Sequence, residues 1–483
     1  MPKLFLRVLN LKYIVMKKLF VLVFAFLFLS SLKAQTDLTG DWSGAISIQG
    51  VELGIVAHFK TEGGFVSGTI DISEQRAYGL VLSNIVNAYP SVSFTLDIPN
   101  GAAKFKGSID GDAISGDFSQ AGIEGKFNLT RGFKKEVEVV EKKNFKEEEV
   151  TFKNGDITFA GTLSIPPKSG KHPAVVMITG SGPQDRDESV AGFKIFKVIA
   201  NYLTTNGIAV LRYDDRGVGK STGKPVNEST TEEFSTDVMA AMDFLKTRDD
   251  INPKQIGLFG HSEGGIVAPI VAAKRDDAAF IVCMAGPSVN GAEIILEQTK
   301  LIMIANGEDK EKVESDVADS RSVLNLFLNG ASDDEIKGAI RKLTVEEYDN
   351  MSADEKEKNA NKENWVEKSV NTNFSVLSSP WMRYFLKYDP VPALEKTRCP
   401  ALMYFGGLDL QVPVKQNEGP MRAALMKAGN KDFEIKTFDK ANHLFQEAGT
   451  GSPNEYGKLK KEFVSGFLEY VVGWVTKRVT VVR

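Results

Sequence analysis

Apolar and polar residues alternate one by one through much of the stretch from 37 to 131. Examples are Ala45-Ile46-Ser47-Ile48, Ile55-Val56-Ala57-His58-Phe59, Val92-Ser93-Phe94-Thr95-Leu96, Lys104-Phe105-Lys106-Gly107 and Gly125-Lys126-Phe127-Asn128-Leu129. Successive side chains of a strand point to opposite faces, so this period of two predicts strands buried on one side. Glu62-Gly63-Gly64, Pro99-Asn100-Gly101 and Asp110-Gly111-Asp112 supply turns between the runs. Many short strands at such spacing predict a small all-β barrel or sandwich over 37–131.

The segment 132–149 is charged, with Lys134-Lys135-Glu136, Glu141-Lys142-Lys143 and Glu147-Glu148-Glu149, and reads as a solvated linker or an exposed edge. From about residue 150 the texture changes. Val150–Phe152 and Ile157–Ile165 flank the hairpin signal Asn154-Gly155. Fully apolar runs then follow at Ala174–Ile178, Ile208–Leu211, Ile256–Phe259, Phe280–Met284 and Ala401–Phe405, with a further strand at Phe433–Lys436. Helical stretches separate them at Phe193–Leu203, Phe234–Leu245, from about Gly264, near Gly419–Ala428 and at about 459–474. Strands apolar on both faces, alternating with helices, predict an α/β fold over 150–480: a mostly parallel sheet with helices on both faces. Residues 290–390 interrupt the rhythm with polar helical spacing, as in Glu293–Met303 and Glu335–Leu343, and read as an inserted helical cap.

The N-terminus carries Met16-Lys17-Lys18, an apolar run from Leu19 to Leu29, and then Ser30, Ser31 and Ala34-Gln35. A basic start, a short apolar stretch and a small-residue end describe a secretory signal peptide within 1–35, starting at Met16 and cleaved near Ala34. The expected location is periplasmic or secreted. The apolar run is shorter than the roughly 20 residues that span a bilayer, and no other stretch is long enough, so no membrane span is expected after signal removal.

Composition adds limits. The 483 residues are 42% hydrophobic and 25% charged, enough for two or three units with cores of their own. The formal net charge of −4 and the lack of a basic, aromatic-laced stripe argue against nucleic acid as a partner. Cys283 and Cys399 lie in separate strand-like runs and have no histidines at ligand spacing, so no metal site is expected and buried free thiols are preferred over a disulfide. The sequence does not specify an oligomeric state.

The chemistry concentrates in Gly260-His261-Ser262-Glu263-Gly264, between the apolar strand Ile256–Phe259 and the helical stretch Gly265–Ala273. A G-x-S-x-G in that context makes a tight strand-to-helix turn that holds a serine hydroxyl above the sheet, near the amides of a helix N-terminus. Ser262 is therefore the expected nucleophile. A serine needs a base, and the chain has four histidines. His58 falls in the β domain, His172 precedes a strand on the wrong side of the sheet, and His261 sits inside the turn. His443, after the last strand, is left. Asp409, directly after Ala401–Phe405, is the favoured acid for fixing the imidazole tautomer, and Asp439 is the alternative. The expected oxyanion donors are the backbone N–H groups of Glu263 and of Ser181, in Thr179-Gly180-Ser181-Gly182-Pro183. Asp214–Ser221 lacks the first glycine of a phosphate-binding loop and reads as structural. Arg216 and Asp185-Arg186-Asp187 are expected to brace the loops through ion pairs.

Together these segments resemble the α/β-hydrolase superfamily. The motifs Gly180–Asp187, Asp215–Ser221, Gly260–Gly265 and Trp381-Met382-Arg383-Tyr384-Phe385 resemble, more narrowly, bacterial carboxylesterases of the EstD type, which carry an N-terminal β domain. The resemblance covers most of 37–480 and is specific in the hydrolase half. It implies hydrolysis of small-molecule esters with short acyl chains, no cofactor, and a triad at Ser262, Asp409 and His443. The superfamily also holds serine peptidases, aminopeptidases and thioesterases, and a non-catalytic binding protein is a further alternative. Trp381, Tyr384 and Phe385 are candidates for the acyl side of the pocket.

Overall fold

The computed structural model describes residues 38–48, 51–63, 65–72, 77–97, 101–120, 123–132 and 144–479. The expected signal segment 1–35, and 133–143 of the expected linker, lie outside the described residues. The chain divides into two compact units, Met1–Glu138 and Val139–Arg483.

In the first unit the alternating runs form eight antiparallel strands: β1 (Gly40–Ile48), β2 (Val51–Glu62), β3 (Phe65–Ile72), β4 (Ala77–Ala88), β5 (Ser91–Leu96), β6 (Ala103–Asp110), β7 (Ala113–Gln120) and β8 (Ile123–Arg131). Strand β1 pairs with both β2 and β8, so the sheet closes on itself as a barrel and leaves no open edge. The inward positions carry Trp42, Phe59, Phe94, Phe105, Phe118 and Phe127, all buried. Phe94 stacks on Phe105 with ring centroids 4.6 Å apart. The interior is thus a packed aromatic core, as expected for a barrel of eight strands.

The second unit is built on an eight-stranded sheet. Its strands are β9 (Lys146–Asn154), β10 (Ile157–Ile165), β11 (His172–Ile178), β14 (Ala209–Tyr213), β15 (Ile251–His261), β16 (Ile281–Met284), β17 (Ala401–Gly406) and β18 (Phe433–Phe438). A two-residue hairpin, β12 (Ser189–Val190) with β13 (Phe193–Lys194), stands apart. The order in the main sheet is β18-β17-β16-β15-β11-β14-β10-β9. The pairs from β14 to β18 are parallel, and β10 and β9 are antiparallel. Helices α1 (Ile195–Thr205) and α12 (Phe467–Val479) pack together, while α2 (Thr231–Lys246), α3 (Gly264–Lys274), α10 (Val391–Leu394) and α11 (Val414–Lys427) pack as a second group. Val175, Val176, Leu258 and Phe259 in the central strands are fully enclosed, which explains runs that are apolar at every position.

Between β16 and α10 lie six helices: α4 (Gly291–Ala305), α5 (Lys310–Leu328), α6 (Asp333–Asn350), α7 (Ala353–Lys358), α8 (Lys362–Ser378) and α9 (Pro380–Lys387). They share a small core of their own, including Leu296, Val313, Phe327, Ile340 and Val366. The acids of this insertion serve the helices. Asp309 caps α5 by accepting the Glu311 and Lys312 N–H groups, and Glu293 pairs with Arg321.

Several boundaries differ from expectation. The charged stretch up to 149 is not all linker, because Lys146–Glu149 opens the edge strand β9. Its acids meet cations of β14 and of two loops: Glu147 with Arg212 of β14 (2.8 Å), Glu148 with Arg248 (3.0 Å) and Glu149 with Arg186 (2.8 Å). Such charge is compatible with a strand at a sheet edge. The C-terminal helix runs over Phe467–Val479 rather than 459–474, starting directly after Gly466, whose φ of 81° breaks helical geometry. Helix α1 begins at Ile195 because Phe193–Lys194 is committed to the small hairpin. Helix α11 starts at Val414, ahead of the expected Gly419, and carries Pro420 inside it.

Candidate active site

Strand β15 ends at His261 and α3 begins at Gly264, so Ser262 occupies the turn between them. Its φ of 53° lies in the left-handed region, which costs a residue with a Cβ about 1–2 kcal/mol. The surroundings hold it there. The Ser262 N–H donates to the Met284 carbonyl (2.8 Å), and the Ser262 carbonyl accepts from Gly265 (2.8 Å). The flanking glycines are steric requirements. A Cβ on Gly260 would stand 2.0 Å from the Gly264 carbonyl oxygen, and one on Gly264 would stand 2.1 Å from that of Ile178. The motif spacing is therefore the spacing of close backbone approach in this elbow.

His443 lies in the loop after β18. Asn442 shapes that loop: its side-chain oxygen accepts the N–H groups of Leu444 (2.9 Å) and Gln446 (3.0 Å). His443 Nδ1 meets Asp409 Oδ2 at 2.8 Å, with both residues buried. Asp409 Oδ1 accepts from the backbone N–H of Gln411 (2.8 Å) and Val412 (2.9 Å), which fixes the carboxylate in the loop after β17. Asp409, and not Asp439, is thus the carboxylate on this imidazole. The His443 ring lies beside the ring of His261, with centroids 4.8 Å apart, and so beside the elbow. His261 has both nitrogens engaged, Nδ1 with Glu188 Oε1 (2.9 Å) and Nε2 with the His443 carbonyl (3.0 Å). His58 sits between Asp41 and Asp71 in the barrel, and His172 opens β11.

The loop after β11 brings Gly180 against the elbow. A Cβ there would stand 3.2 Å from Ser262 Cβ and 3.0 Å from Glu188 Oε1. The Gly180 N–H donates to Glu188 Oε1 (2.7 Å), and the next residue, Ser181, is exposed. Asp215 braces the loop by accepting from Thr179 Oγ1 (2.6 Å) and the Gln184 N–H (2.8 Å). Gln184 in turn donates to the Ser181 carbonyl (3.0 Å). The Glu263 N–H lies at the N-terminus of α3, where amides have no acceptor within the helix.

The ion pairs expected of the loops are present. Arg216 makes a bidentate contact with Asp237, both bonds 2.9 Å and both residues buried. Arg186 joins Asp214 and Glu149, and Asp187 pairs with Arg212. Asp185 instead accepts the Asp187 and Ser189 N–H groups. Cys283 and Cys399 are free thiols, the first buried and the second half-buried. Among the described residues no cluster of three or more His, Cys, Asp or Glu could hold a metal ion, and no helix is long and apolar enough to cross a membrane.

Two side chains escaped the sequence reading. Glu188 stood at the end of the acidic Asp185–Glu188 run, where only its neighbours drew attention. Glu263 was read for its backbone alone, yet its buried carboxyl joins three segments. Oε1 accepts from Thr231 Oγ1 (2.6 Å), at the start of α2, and both oxygens lie 3.0 Å from Trp381 Nε1, on α9 of the helical insertion. Burial pushes this carboxyl up to about 7, against the opposing pull of the two donors. Trp381 stacks on Phe385, and the Tyr384 hydroxyl donates to Glu232 (3.2 Å), so these aromatics fix the insertion onto α2 and the elbow. Beside them a small pocket is lined by Ile178, Gly180, Val226, Phe234, Glu263 and Val267, among others.

A serine on a strained strand-to-helix elbow, a carboxylate-bound imidazole after the last strand and a mixed eight-stranded sheet define an α/β-hydrolase. Residues 193–360 match the family model described as Serine aminopeptidase, S33; this range includes Ser262 and ends before Asp409 and His443. The chain is 27% identical over 395 residues to Esterase EstD of Thermotoga maritima, covering 80% of each chain. It is 34% identical over 119 residues to the polyketide transferase grgF of a Penicillium species, covering 24% of this chain and 38% of that one. The crystal structure of the α/β hydrolase GrgF covers 69% of this chain and 99% of its own, at 18% identity and a TM-score of 0.43. These similarities support an EstD-type α/β-hydrolase, and the protein is an enzyme, a hydrolase.

Proposed function

We propose that the protein cleaves carboxylic esters with short acyl chains, using Ser262 as nucleophile, His443 as general base and Asp409 as the acid that orients it. The observation that carries this reading is the 2.8 Å bond from His443 Nδ1 to a buried, backbone-anchored Asp409, on an imidazole that lies against the serine elbow. Ser262 Oγ attacks the ester carbonyl while His443 Nε2 takes its proton. Asp409 keeps the acceptor nitrogen facing the hydroxyl and stabilises the imidazolium that forms. The N–H groups of Ser181 and Glu263 receive the oxyanion. Gly180 spends its own N–H on Glu188, which leaves the following amide for this role. His443 returns the proton to the leaving alcohol, an acyl-enzyme remains, and water activated by the same imidazole releases the acid.

The small pocket beside Gly180 and Glu263 supports a short acyl group, and the 27% identical relative named an esterase supports the ester as the bond type. The family description favours a second reading, an aminopeptidase. That activity needs a carboxylate free to grip a substrate amine. Of the acids near the elbow, Glu263 accepts from Thr231 and Trp381, Asp215 from Thr179 and Gln184, and Asp237 from Arg216 and Asn154. The test is turnover of p-nitrophenyl acetate against an aminoacyl p-nitroanilide, with an acyl-length series and fluorophosphonate labelling. Ser262→Ala is expected to abolish labelling and lower ester turnover by several orders of magnitude. Near-wild-type turnover in that variant would reject Ser262, and faster cleavage of the anilide would favour the peptidase.

A further inference from the structure

Behind the reacting groups lies a second carboxylate–imidazole contact that the mechanism above does not use. Glu188 is 1% exposed and His261 3% exposed. His261 Nδ1 faces Glu188 Oε1 at 2.9 Å and Nε2 faces the His443 carbonyl at 3.0 Å. A carbonyl oxygen and a carboxylate can only accept, so an imidazole that satisfies both carries two N–H groups and a positive charge. Burial alone would lower its pKa, but the Glu188 charge and hydrogen bond more than offset this and hold the imidazole above its ordinary value. The same Glu188 oxygen accepts the Gly180 N–H at 2.7 Å. Glu188 holds its carboxylate there from a left-handed backbone, φ 46°, which costs a non-glycine residue stability. Its other oxygen is buried with no hydrogen-bond partner among the described residues.

We propose that Glu188 and His261 form a positioning ion pair, overall neutral, that locks three reacting segments to one another: the loop carrying the Ser181 N–H, the serine elbow and the backbone of the base. This rests on the esterase reading of Ser262 and His443. The pair touches no substrate. Glu188 fixes the oxyanion loop through Gly180, and His261 ties the elbow to His443 from behind. The pair also sets the charge felt by the base. His443 is faced by Asp409 from the loop after β17, by the His261 ring from the elbow, by Glu188 behind that ring and by the buried Tyr456 of the following loop. Burial pushes the Tyr456 phenol up, so it stays neutral, and Lys461 on the same stretch is turned onto the Tyr456 and Gly457 carbonyls. Glu263, on the far side of the elbow, faces Thr231 and Trp381. Glu188 and Asp409 are thus the anions near His443, and His261 compensates the first.

The experiment is the pH profile of kcat/KM for p-nitrophenyl acetate on the full chain, whose acid limb reports the pKa of the base. In His261→Gln the Glu188 carboxylate loses its counter-charge. An extra negative charge favours imidazolium at His443, so the acid limb is expected to move to higher pH by about one unit. In the double variant His261→Gln, Glu188→Gln the extra charge is gone and the limb is expected back at the wild-type position. A purely structural role would not produce that return. Glu188→Ala alone is the second variant, because it deletes the oxygen that meets both Gly180 and His261; it is read by the split between constants: kcat falls at least about tenfold with KM unchanged, because the loop and elbow lose alignment. An unmoved limb in His261→Gln, an equal displacement in the double variant, or wild-type kcat in Glu188→Ala overturns the proposal. Should Ser262→Ala keep its turnover, the function reading itself falls. Should Ser262→Ala be inactive while the limb stays put, the positioning pair alone falls.

Discussion

Replacing Glu263 by glutamine tests whether the carboxyl beside Ser262 is held against its own ionisation. Burial raises its pKa from 4.5 to about 7. At about 1.4 kcal/mol per pH unit, that gap corresponds to roughly 3 kcal/mol of differential cost for the charged form. A group whose folded pKa lies above its unfolded one contributes stability that is complete below about pH 4.5 and is lost as pH rises through about 7. Glutamine is neutral throughout and removes that slope. It can also keep the contacts, because Oε1 alone already meets both Thr231 Oγ1 (2.6 Å) and Trp381 Nε1 (3.0 Å). Glu263→Gln is therefore expected to leave stability near wild type at pH 5 and to raise it by up to about 3 kcal/mol at pH 8.5. The assay is urea unfolding at the two pH values, followed by tryptophan fluorescence; Trp365, Trp381 and Trp474 all report on the second unit, out of four tryptophans. An equal effect at both pH values, or a variant less stable than wild type at pH 8.5, would refute the reasoning.

Asp409→Asn should leave the fold intact and lower kcat by about four orders of magnitude, since an amide no longer selects the productive imidazole tautomer. Steady-state kinetics check this, and a loss under tenfold would remove Asp409 from the triad. Arg216→Ala leaves the buried Asp237 carboxylate without its bidentate partner and should cost about 3–5 kcal/mol of stability, read by denaturant unfolding. Turnover per folded molecule should change little, and a large selective fall in kcat would count against a bracing role. Trp381→Phe keeps the ring stacked on Phe385 but deletes the indole N–H, at a cost of about 1–3 kcal/mol. It should raise KM more than it lowers kcat, because the loss loosens the helical insertion rather than the reacting groups; an unchanged KM would argue that α9 does not shape the substrate site.

The parts that were legible in the sequence are those fixed by local rules. Period-two runs marked five of the barrel strands, β1, β2, β5, β6 and β8, because one face of each is buried, and unbroken apolar runs yielded the central parallel strands because both faces are. Those patterns could not tell a barrel from a sandwich, since closure depends on β1 reaching β8 more than 80 residues away in the chain. The serine elbow was legible because a steric constraint, two glycines around a left-handed serine, is written into five consecutive residues. The charged stretch reads equally as a linker or as an exposed edge; from residue 146 it is the edge, a choice made only when Arg186, Arg212 and Arg248 are placed opposite its acids. The same dependence on partners elsewhere in the chain hid Glu263 and Glu188. Their tasks are defined by partners 8 to 118 positions away, and no local pattern marks a buried carboxyl.

Those two carboxyls share a physical logic with the serine between them. Ser262 pays about 1–2 kcal/mol of backbone strain, and such strain persists only where surrounding contacts over-determine the conformation. His261 on one side is held by Glu188 and by the His443 backbone, and Glu263 on the other by Thr231 and Trp381. Each contact reaches a different segment: the loop after β11, the loop after β18, the start of α2 and the helical insertion. The elbow is thus clamped from four directions by side chains that flank the hydroxyl without touching substrate. That arrangement separates the two jobs of the turn. The neighbours carry the cost of the geometry and leave the Ser262 hydroxyl for the chemistry proposed above.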